Sequence, residues 1–466
     1  MQNVNSLTRR AVCEPMTRRR FLRGAAAAAA TLPAALHAAS PEDTSAANVE
    51  LRIVQGDLEL APHHIVRTSL YQIGGEGVVR LPAGKPVNVQ VVNTLSTEEW
   101  VHWHGFQVPA LLDGTAEEGS LSAPAGRTLQ YTLPPQRPGL FYVHSHAMTC
   151  HDMSRGLYGG QFAPVYMQPS RDAGDYDREI FWTSHEWEPY MVNEADEERA
   201  LEDMQHLRRD PEDDDEADGW DVRYRLASVN GRALGYGEPI RVREGDRLLC
   251  HLLNASATEN IQVALPGHGF LVTAMDGNPV ARRGSVSVLN LGPGERIDAI
   301  VVMNAPGVWV FGSTDEKTRG KGLGVVLEYA GHSGGPVWSD PDAAEWDYAD
   351  FCEAGNRGVD EEIKISLERL PLAQDGTEIW SLALSHDDGR PHQGILHRGQ
   401  SYRLRMQNQS DEWHPMHLHR NRFELFALSR KKCRRPRERY IAYSTVGRDG
   451  GAADSGGYRT CSLPLS

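Results

Sequence analysis

The sequence lacks any long hydrophobic run outside its N-terminal segment, which excludes a protein with several membrane-spanning helices. Cysteine is also scarce: the 466 residues contain six, of which Cys13 lies near the N-terminus and Cys433 and Cys461 lie near the C-terminus. So few cysteines predict no disulfide framework, although the count is compatible with one pair. The body also lacks clear amphipathic helical periodicity, so we do not expect a mainly helical fold.

Basic residues are sparse in the body of the chain. Residues 40–426 carry 33 Lys and Arg against 59 Asp and Glu, and the whole chain has a formal net charge of −15. Nucleic-acid binding needs clustered Lys and Arg to contact phosphates, so we expect no nucleic-acid partner. The acidic stretch at 194–221 has almost nothing to bury and predicts a solvated insertion. Attraction of cationic substrates or metal ions is the alternative role for that stretch.

Residues 1–39 have the pattern of an export signal. Arg18-Arg19-Arg20-Phe21-Leu22 is a twin-arginine motif, and an alanine run at 25–30 and small residues at 38–40 follow it. The signal resembles the type that is read by the twin-arginine export machinery. We therefore expect a periplasmic or secreted protein with no membrane span in the mature chain. A short basic, alanine-rich helix is the alternative interpretation.

Short strands dominate the rest of the sequence, and they repeat. Apolar and polar residues alternate at 128–133 and at 402–406, which is typical of strands with one buried face. A strand that ends in Asn and is soon followed by Ser occurs at Asn93, Asn254 and Asn408, with spacings of 161 and 154 residues. The sequence therefore predicts an all-β fold of three consecutive β-sandwich domains.

The repeat also predicts where the domains lie. We expect domain one over residues 50–168, domain two over 178–331 with the acidic insertion, and domain three over 345–466. The third domain is atypical after about residue 428, because a strongly basic stretch begins there. No core strand is recognisable beyond that point.

Seven of the 19 histidines fall in three short motifs. Alternate residues of a strand project from one face, so each His-x-His motif would offer two imidazoles to the same side. That arrangement is suited to chelating a metal ion or a metal pair. The motifs are His102-Trp103-His104, His144-Ser145-His146 and His414-Pro415-Met416-His417-Leu418-His419.

Two of these pairs occupy the same place in the repeat, 9 and 11 residues after the repeated Asn of the unit. The positions are His102 and His104 in unit one, Val263 and Leu265 in unit two, and His417 and His419 in unit three. A packing role would not require this contrast between units. The contrast predicts a metal cluster held between domains one and three, with domain two as a spacer.

His414 differs from the other six. It precedes His417 by three residues, which is the wrong parity for a shared strand face, and Pro415 disturbs the strand between them. We therefore expect His414 to serve a separate metal centre. Imidazole ligands suit Cu, Zn, Fe and Ni alike, so the residues alone do not identify the metal.

On these motifs the chain resembles the three-domain multicopper oxidases of the laccase-like and copper-resistance types, over about residues 50–425. The resemblance implies cupredoxin-like Greek-key domains, of which the third would be incomplete here. It implies copper cofactors and the coupling of one-electron oxidation of phenols or metal ions such as Cu(I) to the four-electron reduction of O2 to water. It implies type 2 copper ligands at His102 and His417, type 3 ligands at His104, His144, His146 and His419, and a type 1 ligand at His414.

The resemblance also assigns a role to Asp113, in Leu112-Asp113-Gly114, as the acidic residue that assists proton delivery near the cluster. The repeat supports a second interpretation, because Asp276-Gly277 stands at a comparable place in the unit that has no ligands. Asp113 is then a turn residue.

One element of the family pattern is missing. A His-Cys-His segment, which carries the type 1 Cys and two type 3 ligands, should follow about residue 460, yet no His follows His419. Cys433 and Cys461 also lack flanking histidines. We weigh a diverged C-terminus against a reading-frame change near 425–430 and favour the latter. Translation of the other two frames past codon 425 should then reveal the missing segment, and its absence from both would refute the idea.

Two functions follow from this pattern. The first is an exported oxidase whose activity is in doubt because the type 1 site is incomplete, and the second is a periplasmic copper-sequestering protein without turnover. A two-domain copper nitrite reductase is disfavoured, since the ligands here lie in units one and three of three. The electron donor, whether a small molecule or a metal ion, is not specified by the sequence.

Overall fold

The structure is a computed structural model. It describes residues 49–73, 77–116, 118–147, 152–171, 174–193, 220–342, 346–352, 359–371, 378–386, 389–390, 396–397, 400–409, 414–425 and 441–446. The predicted export signal, nearly all of the acidic insertion and the last 20 residues lie outside these ranges. Within them, no helix has the length and apolar character needed to cross a membrane, and the buried Cys250 and Cys352 are not part of a disulfide.

Unit one is a sandwich of two four-stranded sheets, ordered β2-β1-β4-β6 and β3-β8-β7-β5. Its core lies between the sheets and includes Leu51 and Val89 from the first and Trp103 and Phe141 from the second. A short helix, α1 (Gly156–Gly159), precedes the last strand. The strands are β1 (Val49–Ala61), β2 (His64–Gln72), β3 (Val79–Pro82), β4 (Val87–Asn93), β5 (Val101–His104), β6 (Thr128–Leu133), β7 (Gly139–Ser145) and β8 (Phe162–Gln168).

Unit two repeats this plan with a six-stranded sheet, β10-β9-β12-β17-β14-β15, and a five-stranded sheet, β11-β19-β18-β13-β16. Helix α2 (Glu316–Gly320) precedes its last strand and is capped by the Asp315 side chain. The strands are β9 (Arg178–Asn193), β10 (Trp220–Val229), β11 (Ile240–Val242), β12 (Arg247–Asn254), β13 (Ile261–Ala264), β14 (Phe270–Met275), β15 (Asn278–Val286), β16 (Val288–Leu291), β17 (Arg296–Val302), β18 (Val308–Ser313) and β19 (Gly324–Tyr329).

Unit three contributes one five-stranded sheet to the described residues, ordered β21-β20-β22-β24-β23. Its buried side chains, such as Leu404 and Phe423, join the same core cluster as those of unit two. A turn of 3-10 helix at Tyr348–Phe351 lies between the two units in sequence. The strands are β20 (Glu361–Pro371), β21 (Glu378–His386), β22 (Tyr402–Asn408), β23 (Phe423–Leu425) and β24 (Ile441–Val446).

The expectation that no core strand follows residue 428 is wrong. Strand β24 lies between β22 and β23 and pairs antiparallel with both, with Tyr402 opposite Val446 in the first pair. Its sequence, Ile-Ala-Tyr-Ser-Thr-Val, is rich in the β-branched and aromatic residues that favour strands. The basic stretch before it dominates the local composition, so composition alone does not indicate this short strand.

The repeated Asn residues have a common structural role. Each ends the strand that pairs in parallel with the first long strand of its unit, in β4, β12 and β22. The Asn93 side chain accepts from the Leu95 backbone N–H at 2.9 Å and donates to Thr97 O at 2.8 Å. Asn254 accepts from Ser256 N–H at 3.1 Å in the same way. These bonds fix the chain as it leaves the strand, which explains why later positions keep the same spacing.

An ion network around the buried His251 joins units one and two. The Nδ1 of His251 lies 2.8 Å from Asp298 Oδ1, and its Nε2 lies 3.9 Å from Glu179 Oε1, beyond hydrogen-bond distance. Arg80, from unit one, donates to Glu179 Oε2 at 3.1 Å. Burial lowers the pKa of His251, but the charges of Asp298 and Glu179 outweigh burial and raise it from 6.5 to about 9. His251 is therefore a buried imidazolium near neutral pH.

This network predicts a pH-dependent stability. Because the pKa of His251 is higher in the folded protein, its stabilisation is complete below pH 6.5 and is lost as the pH rises through about 9. The loss amounts to roughly 3 kcal/mol. Denaturant unfolding at pH 6.5 and pH 9 should show a pH dependence that is smaller in His251→Gln than in wild type by about this amount. His332→Gln, at an exposed position just after unit two, should behave like wild type; an equal pH dependence in His251→Gln would contradict the assignment.

Candidate metal centre

Four imidazoles of the candidate site come from unit one. His102 and His104 are buried in β5, and His144 is buried in the neighbouring strand β7. Antiparallel pairing places His102 opposite His144, and their ring centroids are 5.1 Å apart. His146 follows β7, and its backbone N–H donates to Trp100 O at 3.0 Å. The ring centroid of His146 lies 5.6 Å from that of His102, so the two strands bring all four rings together.

Unit three supplies its imidazoles from a loop. We predicted that His417 and His419 occupy a strand equivalent to β5, but the structure places them in the connection between β22 and β23. Pro415 at the start of this connection packs against Gly292 of unit two. Met416 and Leu418 pack against the core cluster that units two and three share. The equivalence with unit one is thus one of position rather than of secondary structure.

The imidazoles of units one and three meet across the seam. The rings of His104 and His417 stack with centroids 3.7 Å apart, and the His102 centroid lies 4.3 Å from that of His419 and 5.7 Å from that of His417. His146 is 5.3 Å from His419 by the same measure. The sequence-predicted pairs therefore converge on one site.

Among the described residues, two groups of three could each hold a metal ion, with ligand atoms within 4.8 Å of one another. Both groups contain His102. His414 is half-buried and, like His146, belongs to neither group, so its service to another centre stays a prediction. The groups are His102, His104 and His144, and His102, His417 and His419.

The protonation of these rings fits metal binding. Burial and the neighbouring imidazoles lower the pKa of His102 well below its usual value, and burial and His146 lower that of His144 to about 3. Burial, His417 and Arg296 lower the pKa of His104 well below its usual value. Neutral imidazole is the form that binds metals. The Nε2 atoms of His102, His104 and His417 are buried and have no hydrogen-bond partner among the described residues, which leaves their lone pairs available.

Asp113 is fully buried beside the cluster and belongs to unit one. Its Oδ2 accepts from Nδ1 of His419 at 2.8 Å, across the seam, and its backbone carbonyl lies 2.7 Å from Nδ1 of His102. These contacts direct the Nε2 atoms of both rings away from Asp113 and towards the site. Its Oδ1 has no hydrogen-bond partner among the described residues.

Asp276 is different, so the comparison between the two Asp-Gly pairs does not hold in the structure. Asp276 and Gly277 have φ values of 47° and 70° and form the tight turn between β14 and β15. Asp113 instead has a right-handed helical conformation, with φ −71°, at the end of a 3-10 turn. Its carboxylate contacts imidazoles, whereas that of Asp276 pairs with Arg296 at 2.9 Å.

Unit two supplies no histidine to either three-ligand group, and Val263 and Leu265 are buried in its core. It nevertheless reaches the site through Gly294 and Arg296, which sequence reasoning missed. No spacing marks these residues, because their approach to His104 depends on how units one and two dock. The Gly-Pro-Gly-Glu-Arg segment at 292–296 is only a turn signal when read alone.

Comparison with known protein families gives three matches along the chain. Models described as multicopper oxidase match residues 76–163, 212–326 and 381–461, which together make up more than half of the sequence. The last match extends well past residue 428 and includes β24.

Individual relatives agree with these matches. Multicopper oxidase MmcO of Mycobacterium tuberculosis is 26% identical over 75% of this chain and 70% of its own length. Copper resistance protein A of Escherichia coli is 23% identical over 57% of this chain, which spans only 47% of that protein.

Solved structures show the shared fold. The multi-copper oxidase of Pseudomonas thermotolerans has a TM-score of 0.60 at 21% identity, over 86% of this chain and 92% of that one. The laccase of Botrytis aclada has a TM-score of 0.62 at 16% identity, over 85% and 81%. The prediction of consecutive cupredoxin-like sandwiches is confirmed. With three family matches over most of its length, the chain belongs to the multicopper oxidases, which are copper-dependent oxidoreductases.

Proposed function

We propose that this chain binds copper between units one and three and couples one-electron oxidation of phenols or of metal ions such as Cu(I) to the four-electron reduction of O2 to water. The convergence of six imidazoles from two units 300 residues apart in sequence carries this proposal. Three buried Nε2 atoms without hydrogen-bond partners among the described residues lie together in this site, which supports metal binding.

The ligand assignment is the one that the resemblance to the family implies. Type 2 copper would be held by His102 and His417, the type 3 pair by His104, His144, His146 and His419, and type 1 copper by His414. Bound copper would supply the one-electron redox chemistry and the site for O2. The protein itself supplies neutral imidazoles, a buried setting and fixed ring orientations.

Asp113 would serve the cluster in two ways. Its Oδ2 holds the Nδ1–H of His419 and so keeps that ring in the tautomer whose Nε2 faces the site. Its Oδ1 is buried without a partner among the described residues, and it is the atom placed to accept a proton and pass it on.

The type 1 copper site of the proposed oxidase is incomplete. No Cys of this chain lies between two histidines, although Cys150 and Cys250 are each followed by one, and no His follows His419. The Cys and the second His of the family's type 1 site are therefore not found where the family pattern places them. A copper-sequestering protein without turnover is the second candidate, and the incomplete type 1 site is the observation that favours it.

We infer that residues 50–168, 178–331 and 345–466 delimit the three domains. Each family match falls inside one of these ranges, which supports the boundaries. We also propose export by the twin-arginine route to the periplasm or the exterior. The motif at Arg18-Arg19-Arg20 supports this route.

The oxidase proposal predicts copper-dependent O2 uptake. Copper-loaded protein should consume O2 with a phenol or with Cu(I) as donor, at a slow rate, because the usual electron entry site is incomplete. It should show no strong absorption near about 600 nm, since that band reports a copper–thiolate bond. An oxygen electrode and an absorption spectrum measure both.

The copper-free protein is the control for that experiment. Retained copper with O2 uptake no greater than in the copper-free protein would refute the oxidase and support sequestration. A protein that binds no copper would refute both candidates.

A substitution at Asp113 separates its two proposed tasks. Asp113→Asn keeps an oxygen acceptor for His419 but cannot carry a proton, so copper content should be preserved while O2 uptake falls by about 100-fold. Asp113→Ala also releases the His419 ring and should weaken copper binding by about 10- to 100-fold. Copper analysis and the oxygen electrode report the two effects. Asp340→Asn, at an exposed position between units two and three, should change neither, and full O2 uptake in Asp113→Asn would contradict the proton role.

A further inference from the structure

The loop between β16 and β17 of unit two lies directly against the candidate metal centre. A Cβ atom built on Gly294 would stand 2.8 Å from the hydroxyl of Tyr142 and 3.3 Å from Cε1 of His104. Gly294 also has φ +78°, a conformation that favours glycine. Any side chain at this position would push against a ligand ring. The middle unit therefore forms part of the wall of the site.

Arg296, two residues later, is a buried cation in this wall, with 2% exposure. Its Nη1 donates to Asp276 Oδ1 and to Gly294 O, both at 2.9 Å, and its Nε approaches Leu140 O of unit one at 3.4 Å. Arg296 thus connects its own unit to the strand β7 that carries His144.

The guanidinium of Arg296 touches the backbone beside a ligand. A Cβ atom built on Gly105, the residue after His104, would lie 2.7 Å from Nη2 of Arg296. Gly105 also has φ +82°. The glycine that follows the His-x-His pair is thus required for both its conformation and its approach to Arg296.

Tyr142 links this cation to two more ligand rings. Its ring lies 4.5 Å from the centroid of His104 and stacks on His144 at 4.8 Å. The Cζ of Arg296 lies 5.9 Å from the Tyr142 centroid. The charge of Arg296 is therefore separated from His104 by the backbone of Gly105, and from His144 by the ring of Tyr142.

We propose that Arg296 is a positioning residue of the metal centre whose fixed charge disfavours Cu(II) relative to Cu(I), with Asp276 partly offsetting it. The inference rests on the proposed copper function. A positive charge repels a divalent ion twice as strongly as a monovalent one, and burial limits the screening by water. Asp276 reduces this effect but does not cancel it. Of the two charged groups in this ion pair, the guanidinium is the one that approaches Gly105, the residue after His104.

The affinities of the full chain for Cu(II) and Cu(I), measured by competition with a chelator for each ion, test this proposal. Arg296→Met should raise the ratio of Cu(II) to Cu(I) affinity by about tenfold. The same variant should lower the unfolding temperature of the copper-free protein, because the bridge from Asp276 to Leu140 is lost. Arg296→Lys keeps the charge and should keep the ratio near that of wild type.

The outcomes are distinct. A purely structural Arg296 would weaken binding of both ions alike and leave the ratio unchanged, which would overturn the proposal. A wild-type chain that binds neither ion would overturn the proposed function and this inference with it.

Asp276→Asn provides a second test if Arg296→Met does not fold. Asn tolerates the left-handed conformation at this turn, and the change removes the negative charge that offsets Arg296. The ratio of Cu(II) to Cu(I) affinity should then fall. An unchanged or higher ratio would contradict a role of charge.

Discussion

The candidate site depends on the docking of unit three against unit one. Neither unit has enough imidazoles to enclose the site alone: four come from β5, β7 and the residue after β7, and two come from the loop before β23. The hydrogen bond from His419 to Asp113 and the ion pair between Arg420 and Glu118, at 2.9 Å, fix this docking. The Asp113 side chain is fully buried, so its hydrogen bond with His419 constrains the docking of the two units more strictly than the Arg420–Glu118 ion pair does. Metal ions bound there would add further stabilisation to the seam.

Much of this arrangement could be predicted, because it follows from local rules and from the repeat. Asn93 and Asn254 end equivalent strands with equivalent hydrogen bonds, so counting from them locates the same structural position in each unit. The alternation at 128–133 identified β6 correctly. The contrast between His102 and Val263 predicted which units supply histidines to the site. These signals need only the chain itself and the geometry of a strand.

The remaining features depend on tertiary contacts that no spacing records. Arg296 follows an ordinary turn sequence, and only the packing of unit two against β7 brings it to the ligands. His417 lies in a loop rather than in a strand like that of unit one, and Pro415 in the same loop approaches Gly292 of unit two. Strand β24 was not predicted from the sequence, because it is short and follows a basic stretch. The middle unit is therefore more than a spacer, although it supplies no ligand to either three-histidine group among the described residues.

The shared use of imidazoles by two units can be seen in crystals of the copper-loaded protein, by anomalous scattering at the copper absorption edge. The structure predicts copper positions between β5 and the loop before β23, with at least one ion coordinated by Nε2 of both His102 and His417. Copper held only by the histidines of one unit, with those two rings in separate coordination spheres, would contradict it.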